Sequence, residues 1–221
     1  MALVVPAVQN LKRRSLGRAD GETTMYPTLV ALRDDRVLCV VTAPRMALVL
    51  ACAPTLAVGL APQALVLAAQ VGLPERAAEG ETAAQAPGEG IAYHLMTRER
   101  TAATAVQRYA AGPDGELLYG RPAKSAPDTS GLLDHLAAAM SHEPLDHTRV
   151  APKQAEKLPP GAKPDFLPAA RGRLAVDAGA ANTAHQKIGK VGGTVLYLAA
   201  SPAQATELLG YGMPKELLLG G

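Results

Sequence analysis

Between Met46 and Pro74 the chain carries no charged side chain, so any fold it adopts must withdraw that run from water. An uninterrupted apolar stretch of about 18 residues or more can cross a bilayer as a helix. Here Pro54, Pro62, Gln63, Gln70 and Gly72 cut the run into short pieces. Proline is tolerated at a helix start, whereas in the interior it removes a hydrogen bond and kinks or splits the helix. The run therefore predicts a buried helix from Pro44 and Arg45 to about Leu60, kinked or split at Pro54, then a buried strand over Ala64 to Val71. No membrane span is expected.

With 221 residues, 48% hydrophobic and 19% charged, the chain has enough apolar material for a core and too little charge for wholesale disorder. Aromatic residues make up only 3%: six Tyr, one Phe and no Trp. The core must be built from small aliphatic side chains, and few ring faces are left for stacking single-stranded bases. Cys39 and Cys52 both sit inside apolar runs, where thiols behave as small buried hydrophobes rather than nucleophiles. Two such residues give neither a disulfide framework nor zinc spacing. The order of Met-Ala-Leu-Val-Val-Pro followed by Lys12, Arg13, Arg14 and Arg18 reverses that of a secretory signal, so a cytoplasmic location is expected.

The local pattern predicts an α/β protein of the α+β kind: a mixed, mainly antiparallel sheet flanked by helices, with a small C-terminal helix-strand-helix appendage. Four regions are expected. Residues 1–24 show no trustworthy period and are read as a basic N-terminal arm. Residues 25–145 form the body, in the order β-β-α-β-β-β-β-α. Thr28 to Arg33 and Val37 to Thr42 form a hairpin across Asp34 and Asp35, whose second strand, continuously apolar, belongs at the centre of a sheet. Glu75 to Gly90 is a loop, and Ile91 to Thr97, Thr101 to Tyr109 and Glu116 to Tyr119 form a meander. Its turn lies at Gly112-Pro113-Asp114-Gly115. A helix from Gly131 to His142 has Thr129 or Ser130 as its N-cap and is ended by Pro144.

Residues 146–172, rich in proline and lysine, read as an extended linker, with Phe166 as an anchor into a surface groove. Residues 173–221 form the appendage. It comprises a helix over Leu174 to Ile188, a turn at Gly192-Gly193, a strand over Thr194 to Ala199, and a helix from Ser201 to Leu209 stopped by Gly210. Ser201-Pro202-Ala203-Gln204 combines an N-cap, proline at the first helical position and glutamine three after the cap. Such an appendage is too small to fold alone, and it is expected to extend the body's sheet or to swap onto a neighbouring subunit.

No pattern in the chain specifies chemistry. His135 and His142 are two helical turns apart, roughly 10 Å at a rise of about 1.5 Å per residue, too far to share one ion. His147, close by in sequence, adds only the prospect of a site completed by other strands. Gly189-Lys190-Val191-Gly192-Gly193-Thr194 lacks the strand-loop-helix order of a phosphate loop. Asp34 and Asp35 are turn formers first. No nucleophile elbow, His-Glu-x-x-His helix or dinucleotide fingerprint is present. The end, Leu217-Leu218-Leu219-Gly220-Gly221, resembles over five residues the di-glycine tail of ubiquitin-like and sulfur-carrier proteins, which in that family is adenylated and joined to an amine or sulfur. No β-grasp pattern leads into it here, and an ordinary glycine end is expected. No catalytic residue, cofactor or metal is assigned.

The net charge of +2 is unevenly spread. The body is mildly acidic, while 1–24 and 146–190 are basic, and such arms dock on acidic partners, phosphates or the body itself. The expectation is a non-catalytic interaction or assembly protein that associates with itself or with a protein partner through the arm and the C-terminal module. Lys12, Arg13, Arg14, Arg18, Phe166, Arg171 and Arg173 are the candidate contact residues. The alternatives are a metal-assisted hydrolase or nuclease using carboxylates and histidines from separate strands, and a weak binder of nucleic-acid backbones, whose affinity would fall steeply with salt.

Overall fold

The computed structural model describes residues 4–16, 24–33, 36–73, 88–125, 130–143, 190 and 194–200. Their elements are α1 (Val5–Ser15), β1 (Thr28–Arg33), β2 (Arg36–Thr42), α2 (Met46–Gly59), β3 (Ala64–Leu73), β4 (Gly88–Thr97), β5 (Ala102–Ala111), β6 (Leu117–Tyr119), β7 (Ala123–Lys124), α3 (Leu132–Met140) and β8 (Thr194–Ala200).

All eight strands join one sheet in the order β6-β5-β4-β3-β1-β2-β8, with β7 also lying along β5. Every ladder is antiparallel. β2 and β3 flank β1 on opposite sides, so they run parallel to each other, and α2 carries the chain across β1 between them. The long strands β3, β4 and β5 form a meander held in unbroken register from Ala64↔Thr97 to Leu73↔Gly88 and from Glu89↔Tyr109 to Met96↔Ala102. β8 pairs with the free side of β2, from Thr42↔Thr194 to Val37↔Ala200. The C-terminal strand thus extends the body's own sheet.

Because successive side chains of a strand point to opposite faces, the sheet is apolar on both. Leu29, Ala31, Leu65, Leu67 and Met96 pack with Val49, Cys52, Leu56 and Leu60 at α2 and with Leu136, Ala139 and Met140 of α3. Val30, Leu32, Val66, Ala68, Ile91 and Tyr93 pack on the other face with Val4 and with Val5, Ala7 and Val8 of α1. Leu29, Leu65, Leu67 and Ile91 are all 0% exposed, and burying a side chain of that size stabilises by about 1.5–3 kcal/mol. In β2, Ala31 faces Cys39 and Leu32 faces Val37, which leaves Leu38 as an extra residue. This bulge puts Leu38 and Cys39 together on the α2 side while Val37 and Val40 serve the α1 side. The apolar run of β2 is thereby consumed on two faces, as expected of a central strand.

The structure departs from the sequence expectations in several places. Residues Val5–Ser15, expected within a basic arm without a regular period, form α1. Its inward stripe of Val4, Val5, Val8, Lys12 and Ser15 has helical spacing, but the last two are polar and hide the period. α2 runs unsplit through Pro54, because Cys52, Ala53, Leu56 and Ala57 on either side are all buried against the sheet and their packing outweighs one lost hydrogen bond. β4 begins at Gly88, inside the expected loop, and β7 falls where no strand was expected. α3 starts one residue later than expected and is entered through Gly131, at φ 76°, with no side-chain cap. That backbone conformation favours glycine. The turn at Gly112 to Gly115 forms as expected, with Gly115 at φ 77° and its N–H 3.0 Å from the Gly112 carbonyl. The linker, the helices expected over 174–188 and 201–209, and the di-glycine end lie outside the described residues.

Candidate functional site

Among the described residues, a dense polar constellation lies where α1 meets β3, β4, β5 and β6. Lys12, on the inner side of α1, is 1% exposed. Its Nζ donates to Gln70 Oε1 at 2.9 Å, and the same oxygen accepts the Met25 N–H at 3.0 Å. The ammonium stands 5.1 Å from the centre of the Tyr109 ring, where the ring face attracts a cation. Tyr109 Oη donates to Glu89 Oε2 at 2.6 Å, and these two residues are opposite each other in the β4–β5 ladder. One strand step further in, Tyr93 Oη donates to Gln107 Oε1 at 2.9 Å and Gln107 Nε2 donates to the Gly120 carbonyl at 2.8 Å. Tyr119 closes the set. Its ring lies 5.8 Å from that of Tyr109, its hydroxyl donates to the Gln9 carbonyl of α1 at 3.1 Å, and the Arg13 guanidinium sits 5.3 Å over it.

Burial sets the protonation behaviour. Desolvation lowers the Lys12 pKa, and the charge of Glu89 opposes it. Burial raises the Tyr93 and Tyr109 hydroxyls well above 10, the latter helped by its bond to Glu89. Tyr119 is also raised by burial, with Arg13 pulling the other way. Lysine, tyrosine and carboxylate together are an acid–base set in kind. In place, however, Lys12, Tyr93 and Gln107 are at most 2% exposed and their bonds run to other parts of the chain. The arrangement fastens α1 to the sheet.

A second constellation closes the other layer. Arg33 Nε and Nη2 donate to the Ala61 carbonyl at 3.0 and 2.7 Å, and Nη2 also donates to Leu60. Arg98 donates to the carbonyls of Ala57 at 2.5 Å, Pro62 at 3.0 Å, Met140 at 3.2 Å and His142 at 3.0 Å. The last carbonyls of a helix lack intrahelical donors and carry partial negative charge. The two arginines supply both needs, and Arg98 ties the C-terminal ends of α2 and α3 together. Desolvation, then the neighbouring Arg33, lowers the Arg98 pKa.

The described histidines are dispersed. His94 is buried on β4 beside Thr104, 3.5 Å from its hydroxyl. His135 is exposed, its Nδ1 2.9 Å from the Gly131 carbonyl. His142 is exposed past the end of α3, and His147 and His185 are outside the described residues. Among the described residues no three His, Cys, Asp or Glu side chains gather into a metal-binding group, and no helix is long and apolar enough to cross a membrane.

Of the candidate contact residues, Lys12 is enclosed in the core rather than presented to a partner from a basic arm. Its ammonium meets the Gln70 amide oxygen and the Tyr109 ring there. Arg13 is exposed and bonded to Asn10 Oδ1 at 3.0 Å, and Arg14 belongs to α1. Arg18, Phe166, Arg171 and Arg173 lie outside the described residues. Gln70, Glu89, Tyr93, Gln107, Tyr109 and Tyr119 were not foreseen. The alternation of Gln107 and Tyr109 on one face of a strand is the signal that could have marked them.

The two ends of the sheet differ in a way that bears on association. At one end, β6 and β7 are three and two residues long and are accompanied by Arg121, Pro122 and Lys124, all exposed. At the other end stands β8, Thr-Val-Leu-Tyr-Leu-Ala-Ala, seven residues without charge or proline. It ends the strand order among the described residues. Comparison with protein-family models, with curated proteins and with solved structures finds no match to this chain.

Proposed function

We propose that this chain is a non-catalytic assembly protein whose sheet continues into a second copy across β8. The contrast between the two sheet edges carries this reading. Natural sheets blunt an edge with short strands, proline and lysine because a bare strand edge templates pairing with another chain. The β6–β7 end has all three devices, whereas the seven uncharged residues of β8 have none. An antiparallel strand can pair with its own copy about a two-fold axis, which gives a closed dimer.

Light scattering after size exclusion tests it. The full chain should elute at twice its own mass. Alternate residues of a strand turn their N–H groups to opposite sides, so of Tyr197→Pro and Leu198→Pro one removes a donor facing β2 and the other a donor facing outward. The outward one should keep the melting temperature at high dilution and yield a monomer. A full chain that stays monomeric at high concentration, or two proline variants that are both folded and both dimeric, would overturn the proposal.

A further inference from the structure

On β4, Met96 packs with the α2 and α3 layer, and the alternation of a strand puts Gly88 and Gly90 on that same face. β5 sets Ala102 opposite Met96 and Arg108 opposite Gly90, so Arg108 belongs to this face too. Its guanidinium rests on the glycines: a Cβ at Gly88 would fall 2.9 Å from Arg108 Nη1, and a Cβ at Gly90 would fall 2.7 Å from Leu73 Cδ1. Arg108 is half-buried there, as are Leu73 and Val106.

An irregularity of the sheet edge brings a second arginine beside it. Tyr109 pairs with Tyr119 and Val106 with Ala123, which leaves two residues between them on β5 and three, Gly120 to Pro122, on the other side. The Gly120 N–H donates to the Arg108 carbonyl at 2.9 Å. Gly120 and Arg121 therefore both oppose Arg108, the arrangement of a β-bulge. Proline favours an extended residue before it, so Arg121 continues the alternation of β7. Ala123 shares the face of Val106, and two residues back Arg121 shares the face of Arg108.

Like charges that face each other across strands are destabilising. Among the described residues nothing neutralises this pair: neither guanidinium has an ion-pair or hydrogen-bonding partner. Glu89 turns to the opposite face, where it accepts from Tyr109. Asp114 and Glu116 stand beyond the Ala110–Leu118 pair, toward the turn. Ala110 and Leu118 lie next to the arginines on the same face and are exposed, Leu118 at 58%.

A guanidinium is a planar fork of donors that matches an oxyanion, and one fork already satisfies a carboxylate. A phosphoryl group, with three acceptor oxygens and a charge of about −2, can engage both. We propose that Arg108 and Arg121 form a binding site for a phosphoryl group, either free phosphate or a small phosphate monoester whose organic part rests on Ala110 and Leu118. The site lies within one chain and is independent of pairing across β8.

Calorimetric titration of the full chain with inorganic phosphate, phenyl phosphate and benzoate tests it. Both phosphates should bind in the millimolar range or tighter, and benzoate at least about tenfold more weakly. Tighter binding of phenyl phosphate than of phosphate would identify the monoester as the ligand, and equal affinities the free ion. Arg108→Gln and Arg121→Gln should each weaken binding about tenfold or more. Arg100→Gln, which removes an exposed arginine from the β4–β5 turn, should leave it unchanged. Melting temperatures show that each variant is folded, and Arg121, exposed at the edge, provides the test should Arg108→Gln unfold. Absence of binding by the full chain, full affinity in the folded Arg121→Gln variant, or an equal loss in Arg100→Gln would each overturn the proposal. The last would show attraction to net charge in place of a site.

Discussion

The Lys12 ammonium lies 5.1 Å from the centre of the Tyr109 ring, inside a helix–sheet interface that the rest of α1 seals with valine and alanine. A single cation thus sits among apolar residues because three groups receive it: the ring, the Gln70 carbonyl oxygen at 2.9 Å, and the charge of Glu89. A buried charge stripped of such partners is strongly destabilising.

Truncation at this position should loosen α1. Lys12→Ala removes both the packing of the methylenes and a charge-assisted hydrogen bond, and is expected to cost about 2–4 kcal/mol. Lys12→Met keeps most of the volume and, because Gln70 retains the Met25 N–H, should cost less than half as much. Urea unfolding of the two variants measures both. Equal losses would show that the ammonium, rather than the stem, holds the helix.

Stability should fall steeply in alkali. Tyr93 and Tyr109 keep their protons in the folded chain above the pH of about 10 at which they lose them when unfolded. Their contribution is constant below pH 10 and declines above it by about 1.4 kcal/mol per pH unit for each hydroxyl. Lys12 acts in the opposite sense. Its folded pKa lies below 10.5, so the cost of keeping it charged fades as pH rises toward 10.5 and changes no further beyond. Chemical denaturation from pH 9 to 12 should therefore show a decline that sets in above 10 and steepens past 10.5. Tyr109→Phe should flatten it. An unchanged slope would mean that the Tyr109 hydroxyl ionises as readily in the folded chain as in water.

The Arg98 fork should resist conservative replacement. It serves carbonyls of two helix ends in different directions, which an ammonium cannot match. Arg98→Lys is expected to lose about 1–3 kcal/mol and Arg98→Ala about 2–4 kcal/mol. Exchange should accelerate selectively at the C-terminal turns of α2 and α3. A uniform change across the chain would argue that the arginine acts on global stability alone.

Cys39 and Cys52 should be silent until the chain unfolds. Both are free and buried, at 0% and 3% exposure, and burial pushes the Cys39 thiol well up, aided by Cys52. Only thiolate reacts with a disulfide reagent, so neither should label in native buffer while both should label in denaturant. Cys39→Ser, which buries a hydroxyl among aliphatic side chains, should cost about 1–3 kcal/mol. Labelling in native buffer at the rate of a free thiol would contradict the packing of β2 against α2.

The chain's own pattern was enough for the hairpin of β1 and β2, the buried α2, the meander and the turn at Gly115, because each follows from local chemistry. Apolar runs of strand length lie between turn formers, and an uncharged stretch had to leave water. The doubly covered Val37–Val41 strand was legible for the same reason. Three things were decided only by tertiary structure. Lys12 and Ser15 occupy core-facing positions of α1 that the apolar period leaves blank, and their partners come from strands far along the chain. The Glu89–Tyr109 and Tyr93–Gln107 bonds depend on a register no single segment contains, and Glu89 lies in a stretch whose composition reads as loop. The pairing of β8 with β2 brings together residues separated by most of the polypeptide. Local sequence determines which side chains must be buried and which backbone must turn. Which distant groups satisfy a buried charge, hydroxyl or strand edge is decided only when the layers close, because those partners exist for one another only in the folded chain.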